Sequence, residues 1–197
     1  MSSKRSTSAV SLIAAVVATP LLLAPAHSAL ADSEASNRAH VVTGIVKGDL
    51  HRGCYAKSVP AAHWGMQGVT KVYEVRSGKD RLIETHNWYA QRLYLRCRAS
   101  AGGTLKGTLV RFGPWQRGRR ASKTDLAIAL YSSGRRLVRY STLDLAGQPD
   151  NVRRSVSHFR IIRRVRGFKG GNSFRIELID GRSLGLDLIT GKLRQAG

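Results

Sequence analysis

The sequence predicts an all-β fold: an antiparallel sandwich, barrel or propeller-like sheet array, preceded by an N-terminal signal helix. Short runs of alternating apolar residues recur roughly every 8 to 14 residues, with turn residues between them. One pair of runs flanks Ser133-Gly134 and another flanks Asp180-Gly181, and both dipeptides suit the tight turn of a β-hairpin. After the leader, no stretch keeps the apolar period of a helix over about 12 residues. Such strand spacing without helical periodicity is typical of sandwiches and barrels.

Residues 1–31 predict a secretory signal peptide. Lys4 and Arg5 give it a positive start, residues 10–23 an apolar centre, and residues 29–31 (Ala-Leu-Ala) a small-residue cleavage site. The alternative is a membrane anchor, which would need about 20 apolar residues, more than this run supplies. The sequence therefore predicts an exported protein, periplasmic or secreted, with no transmembrane segment left after cleavage.

The rest of the chain divides into a short tail and one domain. Residues 32–40 are small and polar and predict a flexible tail, and residues 41–197 are enough for a single all-β domain. The domain contains the two cysteines of the chain, Cys54 and Cys97. In an oxidising compartment an even pair predicts a disulfide bond, and two buried free thiols are the alternative.

The elements of the domain follow from turn residues and alternation. A β-branched strand is expected at 41–46, and a loop at 47–62, where Gly53 and Pro60 interrupt the pattern. Residues 116–124 form a basic loop. Further strands are predicted over 69–76, 81–89, 93–97, 105–112, 126–145 (a hairpin), 155–165, 173–180 and 183–188.

The sequence is strongly basic. The chain has 33 Lys and Arg residues against 12 Asp and Glu, a formal net charge of +21. A field of this sign favours anionic partners: polysaccharide, lipid phosphate or an acidic protein, with nucleic acid less favoured. The alternative is that arginine-rich coding and solubility explain the charge, with no bound partner.

The clearest local feature is a basic run without an acid, residues 151–176. On a strand, alternate residues face opposite sides. One face would carry Phe159, Ile161, Arg163 and Val165, and the other Arg160, Ile162, Arg164 and Arg166. We expect the guanidinium groups of the second face to bind phosphate, sulfate or carboxylate. The predicted anion-binding residues are Arg160, Arg164, Arg166 and Arg175, the last from the following strand. A charged edge strand that prevents aggregation is the alternative.

The sequence predicts no catalytic residue, no metal site and no cofactor. Ser157 and His158 are adjacent, and on a strand their side chains would face opposite ways, so we do not expect them to bond. There is no nucleophile-elbow sequence and no histidine spacing that fits a metal site. A hydrolase remains the alternative, and it would need two nearby carboxylates or a hydroxyl beside His158.

Three tryptophans could stack on sugars or bases: Trp64, Trp88 and Trp115. In a small β-domain tryptophan more often belongs to the core. Trp115 follows Gly113-Pro114 and precedes the basic loop, and it is the one that we expect on the surface.

Four stretches carry a resemblance: LVRFGPW (109–115), LAIALYSSGRRLVRYSTLDL (126–145), SVSHF (155–159) and FRIELIDGRSLGLDLITGKL (174–193). With these stretches the segment 107–193 resembles uncharacterised exported bacterial β-rich proteins. The resemblance implies an exported β-rich domain and assigns no activity or site.

The sequence thus predicts a secreted or periplasmic module, binding or structural and without enzymatic activity. Its basic surface is expected to hold anionic envelope polymers. Two alternatives stay open: a hydrolase of cell-wall or polyanionic substrates, and a partner or inhibitor of an acidic secreted protein.

Overall fold

Strands make up most of the described chain, which comprises residues 37–47, 52–63 and 65–196 of a computed structural model. The predicted all-β class is confirmed. The strands are β1 His40–Lys47, β2 Cys54–Pro60, β3 Gly68–Glu74, β4 Arg81–His86, β5 Leu93–Ala99, β6 Leu105–Phe112, β7 Gln116–Arg117, β8 Leu126–Ser132, β9 Arg135–Ser141, β10 Arg153–Arg154, β11 His158–Arg160, β12 Ile162–Lys169, β13 Ser173–Leu178, β14 Ser183–Asp187 and β15 Leu193–Gln195. One short helix, α1 Thr142–Ala146, follows β9.

The strands form an eight-stranded sheet and two smaller sheets. The large sheet has the order β4-β3-β2-β1-β5-β6-β8-β9 and is antiparallel except at β1 and β5, which run parallel. We call β10-β11-β7 the small sheet and β12-β13-β14-β15 the C-terminal sheet; both are antiparallel. Among the described strands no sheet closes into a barrel, so the predicted barrel alternative is not seen.

Two hydrophobic cores lie on opposite faces of the central strands β6 and β8. Side chains alternate along these strands, so Leu109 and Ala129 face one core while Val110 and Ile128 face the other. The first core also contains Cys54, Ala56, Val72, Leu93, Leu95 and Cys97, and the second Phe159, Phe174, Ile176, Leu178, Leu184 and Leu186. Complete burial of one large apolar side chain stabilises the fold by about 1.5–3 kcal/mol. The second core therefore joins the small and C-terminal sheets to the large one, while the first core packs strands of the large sheet against each other.

The predicted disulfide bond is confirmed, and it explains a glycine inside the first strand. Cys54 of β2 and Cys97 of β5 are joined across β1, and both are buried. Gly44 of β1 lies opposite Cys54, and a Cβ atom there would lie 2.4 Å from the Cys54 Sγ. Only glycine leaves room for the bridge at this position.

The loop predicted at 47–62 is wrong for its second half. Residues 54–60 form β2, in which Cys54, Ala56 and Ser58 are buried while Lys57 and Val59 are exposed. This alternation is a strand pattern, but the flanking Gly53 and Pro60 obscured it. Proline is compatible with the end of a strand, where Pro60 lies.

The predicted hairpin is confirmed at its turn and wrong at its end. Ser133 and Gly134 both have positive φ, 50° and 79°, as a tight turn between β8 and β9 requires. The chain then leaves the strand at Ser141 and forms α1 instead of continuing extended to residue 145. Ser141 caps the helix, because its hydroxyl accepts from the Asp144 N–H and the Asp144 carboxylate accepts from the Ser141 N–H.

The leader and most of the predicted tail lie outside the described residues. Of the tail predicted at 32–40, the structure describes the part from Asn37 onward. There Asn37 is buried and its amide donates to the Gly65 carbonyl at 2.6 Å, while its side-chain oxygen accepts from Gln91 at 2.7 Å. This end of the tail is packed, because its side chain satisfies polar groups of the domain. The described part of the chain has no helix with the length and apolarity that a membrane crossing requires.

Candidate anion-binding site

The small sheet gathers three arginines and a histidine on one of its faces. Arg153 of β10 lies directly opposite Arg160 of β11, and Arg117 of β7 lies directly opposite His158. Opposite residues of antiparallel strands point to the same side, and so do residues two apart on one strand. Since His158 and Arg160 are two apart on β11, all four side chains share one face. With Trp115, which lies over His158, we call this the small-sheet face.

The other face of the small sheet anchors it to the protein. Phe159, between His158 and Arg160, is only 2% exposed and packs in the core that β6, β8 and the C-terminal sheet share. The amide of Gln116, opposite Phe159, donates to the Leu126 carbonyl at 2.7 Å. The core therefore fixes which way the arginines point.

Trp115 forms an aromatic platform on the small-sheet face. Its ring centroid lies 4.8 Å from that of His158, with an angle of 38° between the rings. Trp115 is 38% exposed, whereas Trp88 is buried, so the surface position expected of Trp115 is confirmed. Trp64 lies outside the described residues. His158 is buried and lies against the indole, which is itself partly exposed to solvent.

Ser157 and His158 are hydrogen-bonded, contrary to the sequence expectation. Ser157 Oγ lies 2.8 Å from His158 Nδ1. The expectation assumed that both residues belong to one strand, but β11 begins only at His158, and Ser157 lies in the preceding bend. Its side chain is therefore free of strand alternation and reaches the imidazole of its neighbour.

Asp150, which precedes β10, pairs with arginines other than Arg153 and Arg160. Asp150 is bound by Arg120 at 2.8 Å and by Arg154 at 2.5 Å. The Arg120 hydrogen bond is the main reason that the pKa of Asp150 lies below its ordinary value. Among the described residues, neither Arg153 nor Arg160 forms an ion pair with a carboxylate.

The structure separates the four predicted anion-binding residues onto two sheets. Arg160 lies in the small sheet, while Arg164 and Arg166 lie on β12 and Arg175 on β13 of the C-terminal sheet. All four are exposed. On the C-terminal sheet, however, a carboxylate, that of Glu177, lies near two of these arginines. Arg164 lies opposite Glu177, and Arg166 Nε donates to Glu177 Oε1 at 2.6 Å.

The face assignment predicted for 159–166 is wrong at Ile162 and Arg163. The stretch is two strands, with the buried Ile161 between them. Within β12 the register to β13 shifts between Ile162 and Arg164, so that Arg163 is an extra residue. A β-bulge of this kind interrupts alternation. Consequently Arg163 is exposed and Ile162 packs against the core, the reverse of the predicted faces.

A second group of three arginines surrounds a buried carboxylate. Glu74, at the end of β3, is bound by Arg52, by Arg76 at 3.2 Å and by Arg81 at 2.6 Å. Burial, the largest single influence, raises the pKa of Glu74, but the hydrogen bonds and charges of the arginines outweigh it. The pKa of Glu74 therefore lies below its ordinary value. We call these four residues the Glu74 cluster.

Sequence reasoning also missed a buried pair, Glu84 and His86. Glu84 Oε1 accepts from the Gly107 N–H at 2.8 Å, and Glu84 Oε2 lies 3.3 Å from His86 Nε2. The His86 ring stacks on Trp88, with centroids 4.9 Å apart. These contacts attach the edge strand β4 to β6, which is a structural task. Only contacts between distant strands reveal the pair, since nothing in its spacing marks it.

Neither similarity to known proteins nor a cluster of metal-ligating side chains indicates a further site among the described residues. No family model, no curated protein and no solved structure matches this chain. The described residues contain no group of three or more His, Cys, Asp or Glu side chains that could hold a metal ion. The small-sheet face is therefore the arrangement whose chemistry is most distinctive.

Proposed function

We propose that this chain is an exported binding module that holds anionic polysaccharide on the small-sheet face. Export is supported by the leader-like residues 1–31 and by the Cys54–Cys97 disulfide, which is compatible with a periplasmic or extracellular location. The ligand class follows from two kinds of side chain that lie together. Guanidinium groups bind sulfate, phosphate and carboxylate, and an indole stacks on the apolar side of a sugar ring.

The observation that carries the proposal is the pairing of Arg153 with Arg160. Like charges directly opposite each other across two strands destabilise a sheet. Here the pair forms, Arg117 and Trp115 lie on the same face, and Asp150 pairs with Arg120 and Arg154 rather than with Arg153 or Arg160. An anion placed between the guanidinium groups would remove the repulsion and accept hydrogen bonds from more than one of them.

The C-terminal sheet is a weaker choice for the same ligand. Arg166 already pairs with Glu177, and Arg164 lies opposite the same carboxylate. An incoming polyanion would have to compete with that ion pair. The C-terminal sheet also lacks an exposed tryptophan among its strands, whereas Trp115 adjoins β7 of the small sheet. The proposed site thus retains Arg160 from the sequence prediction and adds Arg117, Arg153 and Trp115.

A comparison of charge-matched variants tests the proposal. The Arg117→Ser/Arg153→Ser/Arg160→Ser protein loses three positive charges from the small-sheet face. The control variant Arg135→Ser/Arg136→Ser/Arg194→Ser loses the same charge from exposed positions on β9 and β15. A third variant, Arg164→Ser/Arg166→Ser/Arg175→Ser, tests the C-terminal sheet. Affinity for heparin and for lipopolysaccharide is measured by titration at several salt concentrations.

We expect the small-sheet variant to lose roughly 100-fold in affinity, because it loses three charge-assisted contacts at about 1 kcal/mol or more each. The control should lose only the few-fold that general charge explains. Equal losses in all three variants would mean that diffuse charge binds the polymer, and would contradict the proposal. A selective loss in the third variant would move the site to the C-terminal sheet.

A hydrolase is the second candidate, because Ser157 Oγ lies 2.8 Å from His158 Nδ1. A hydroxyl bonded to an imidazole is the first requirement of a serine nucleophile. The test is covalent labelling by a fluorophosphonate, with Ser157→Ala as the control. Labelling that depends on Ser157 would support the hydrolase, and an unlabelled protein that still binds heparin would support the binding module.

A further inference from the structure

The outer face of strands β1 to β4 carries exposed apolar residues that the core does not use. Outward positions in this part of the large sheet include Val41 of β1, Val59 of β2, Val69 of β3 and Leu82 of β4, which are 57%, 39%, 37% and 49% exposed. Val59 and Val69 lie directly opposite each other. These four are close to half of the large apolar side chains that the described chain exposes. We call this surface the outer lysine–valine face.

Among the described residues, the strands of this face present positive charge and no carboxylate, and Asp80 lies at its rim. Lys57 and Lys71 are directly opposite each other on β2 and β3, and both are exposed. Like charges in this position destabilise a sheet unless an anion or a partner compensates for them. The acids of these strands, Glu74 and Glu84, are buried on the opposite side.

A stacked aromatic pair lies beside the lysines. Tyr55 and Tyr73 are directly opposite each other, with ring centroids 5.0 Å apart and an angle of 19° between the rings. The Tyr55 hydroxyl donates to Asp80 at the rim of the face, at 2.9 Å. Tyrosine is enriched where an apolar layer meets water, as at the surface of a bilayer.

We propose that the outer lysine–valine face docks on the surface of an anionic lipid bilayer. Lys57 and Lys71 would contact lipid phosphates, while the valines and Leu82 enter the boundary between headgroups and acyl chains. Polysaccharide offers no layer that four branched apolar side chains could enter. A second copy of the chain is a poor occupant, since a two-fold contact through this face would bring four lysines together, and the carboxylate described beside them, Asp80, lies at the rim.

Vesicle binding by charge-matched variants tests the lipid proposal. The purified protein is sedimented with vesicles of phosphatidylcholine alone or with phosphatidylglycerol added. We expect binding only to the anionic vesicles.

Lys57→Gln/Lys71→Gln should reduce that binding roughly 10- to 30-fold, because each basic side chain near an anionic membrane contributes substantially to the binding free energy. The control Lys106→Gln/Lys192→Gln removes the same charge from exposed positions elsewhere and should change binding less than 3-fold. Val59→Ser/Val69→Ser should reduce binding by about 10-fold without a change of charge.

A measurement on the unaltered protein tests the same proposal even if a variant fails to fold. Bound vesicles should protect Lys57 and Lys71 from acetylation, as seen by mass spectrometry, while Lys106 and Lys192 stay reactive. Uniform reactivity, equal binding to neutral vesicles, or equal losses in both lysine variants would overturn the proposal. Heparin affinity is measured on the same variants. Because heparin is assigned to the small-sheet face, the heparin affinity of these variants should change by no more than the few-fold that general charge explains, so failure of one proposal is distinguishable from failure of the other.

Discussion

The Glu74 cluster and the small-sheet face each gather three arginines, yet they differ in what the arginines surround. In the Glu74 cluster the centre is a buried carboxylate, which Arg52, Arg76 and Arg81 neutralise. On the small-sheet face the centre is His158, covered by Trp115. The first group satisfies its charges around Glu74, and we propose that the second binds an anionic ligand.

The comparison shows that the position of the acids, more than the number of arginines, separates structural charge from binding charge. The chain has 12 acidic residues for 33 basic ones, so most cations have no acid of their own. Where an acid is buried among arginines, as Glu74 is, removing its charge should lower the stability of the protein. Where arginines lie opposite each other on a surface strand pair, as Arg153 and Arg160 do, removing them should weaken binding and change stability little.

The largest effect on stability should follow loss of the disulfide next to the Glu74 cluster. Cys54 lies opposite Glu74 on the β2–β3 ladder, and its bridge to Cys97 closes a loop with a sequence separation of 43 residues. We expect Cys54→Ala/Cys97→Ala to lower the free energy of unfolding by about 4 kcal/mol, on the chain-entropy estimate for such a loop. Urea unfolding measures it. A folded variant should still bind heparin, because the small sheet lies elsewhere; loss of binding in a folded variant would contradict the separation of the two regions.

A smaller loss of stability should follow Glu74→Gln, which keeps the shape of the side chain and removes its charge. Breaking a buried ion pair usually costs 3–5 kcal/mol, but these arginines are partly exposed and can be solvated, so we expect about 2 kcal/mol. Arg117→Ser/Arg153→Ser/Arg160→Ser, in contrast, should change stability by less than about 1 kcal/mol. Comparable urea midpoints for the two variants would refute the distinction between the clusters.

Trp115→Ala should weaken heparin binding by roughly 10-fold, because an aromatic platform for one ring contributes about 1–3 kcal/mol. Trp115→Phe keeps a ring and should recover part of the affinity. Trp88→Phe, a change in the core, is the matched control: it should lower stability and leave the affinity of the folded protein unchanged. Isothermal titration with a heparin oligosaccharide distinguishes these outcomes.

At low pH the protein should lose the stability that ionised Glu74 contributes. The folded-state pKa of Glu74 lies below its ordinary value of about 4.5, so its contribution to stability is complete above that pH. It is lost as the pH falls through the lower, folded-state pKa. Asp144 shifts in the same direction, chiefly through its hydrogen bond with the Ser141 backbone, so the two effects add. Carboxyl groups ordinarily have a pKa of about 4, so urea unfolding is measured from about pH 7 down to about pH 3. Over this range the free energy of unfolding should fall less for Glu74→Gln than for the unaltered protein. An identical decline would assign the acid sensitivity to other groups.

Alternation and turn residues predicted several local elements correctly, and the even number of cysteines predicted the disulfide bond. The β6 strand at 105–112, the Ser133-Gly134 turn and the Cys54–Cys97 bridge depend on alternation, turn chemistry and compartment, and all three are confirmed. The short helix after Ser141 was missed although its capping box is local, because the alternation of the hairpin runs through it.

The sequence did not predict the features that depend on pairing between distant segments. The small sheet is built from strands of two or three residues, too short for any periodicity to reveal. Arg153 meets Arg160 only through that pairing, and Arg117 joins them from a separate loop. The bulges of β12 are equally invisible in the sequence, since an extra residue such as Arg163 is defined only by its partner strand.

The position of the bound polymer can be read directly from the indole N–H resonances of the protein. We expect a heparin oligosaccharide, titrated into ¹⁵N-labelled protein, to shift the Trp115 indole N–H strongly and the Trp88 indole N–H very little. Trp115→Phe assigns the first resonance by its disappearance. Saturable binding that moves the Trp115 resonance and is lost in Arg117→Ser/Arg153→Ser/Arg160→Ser would establish the small-sheet face as the site. Saturable binding that leaves the Trp115 resonance in place would contradict it.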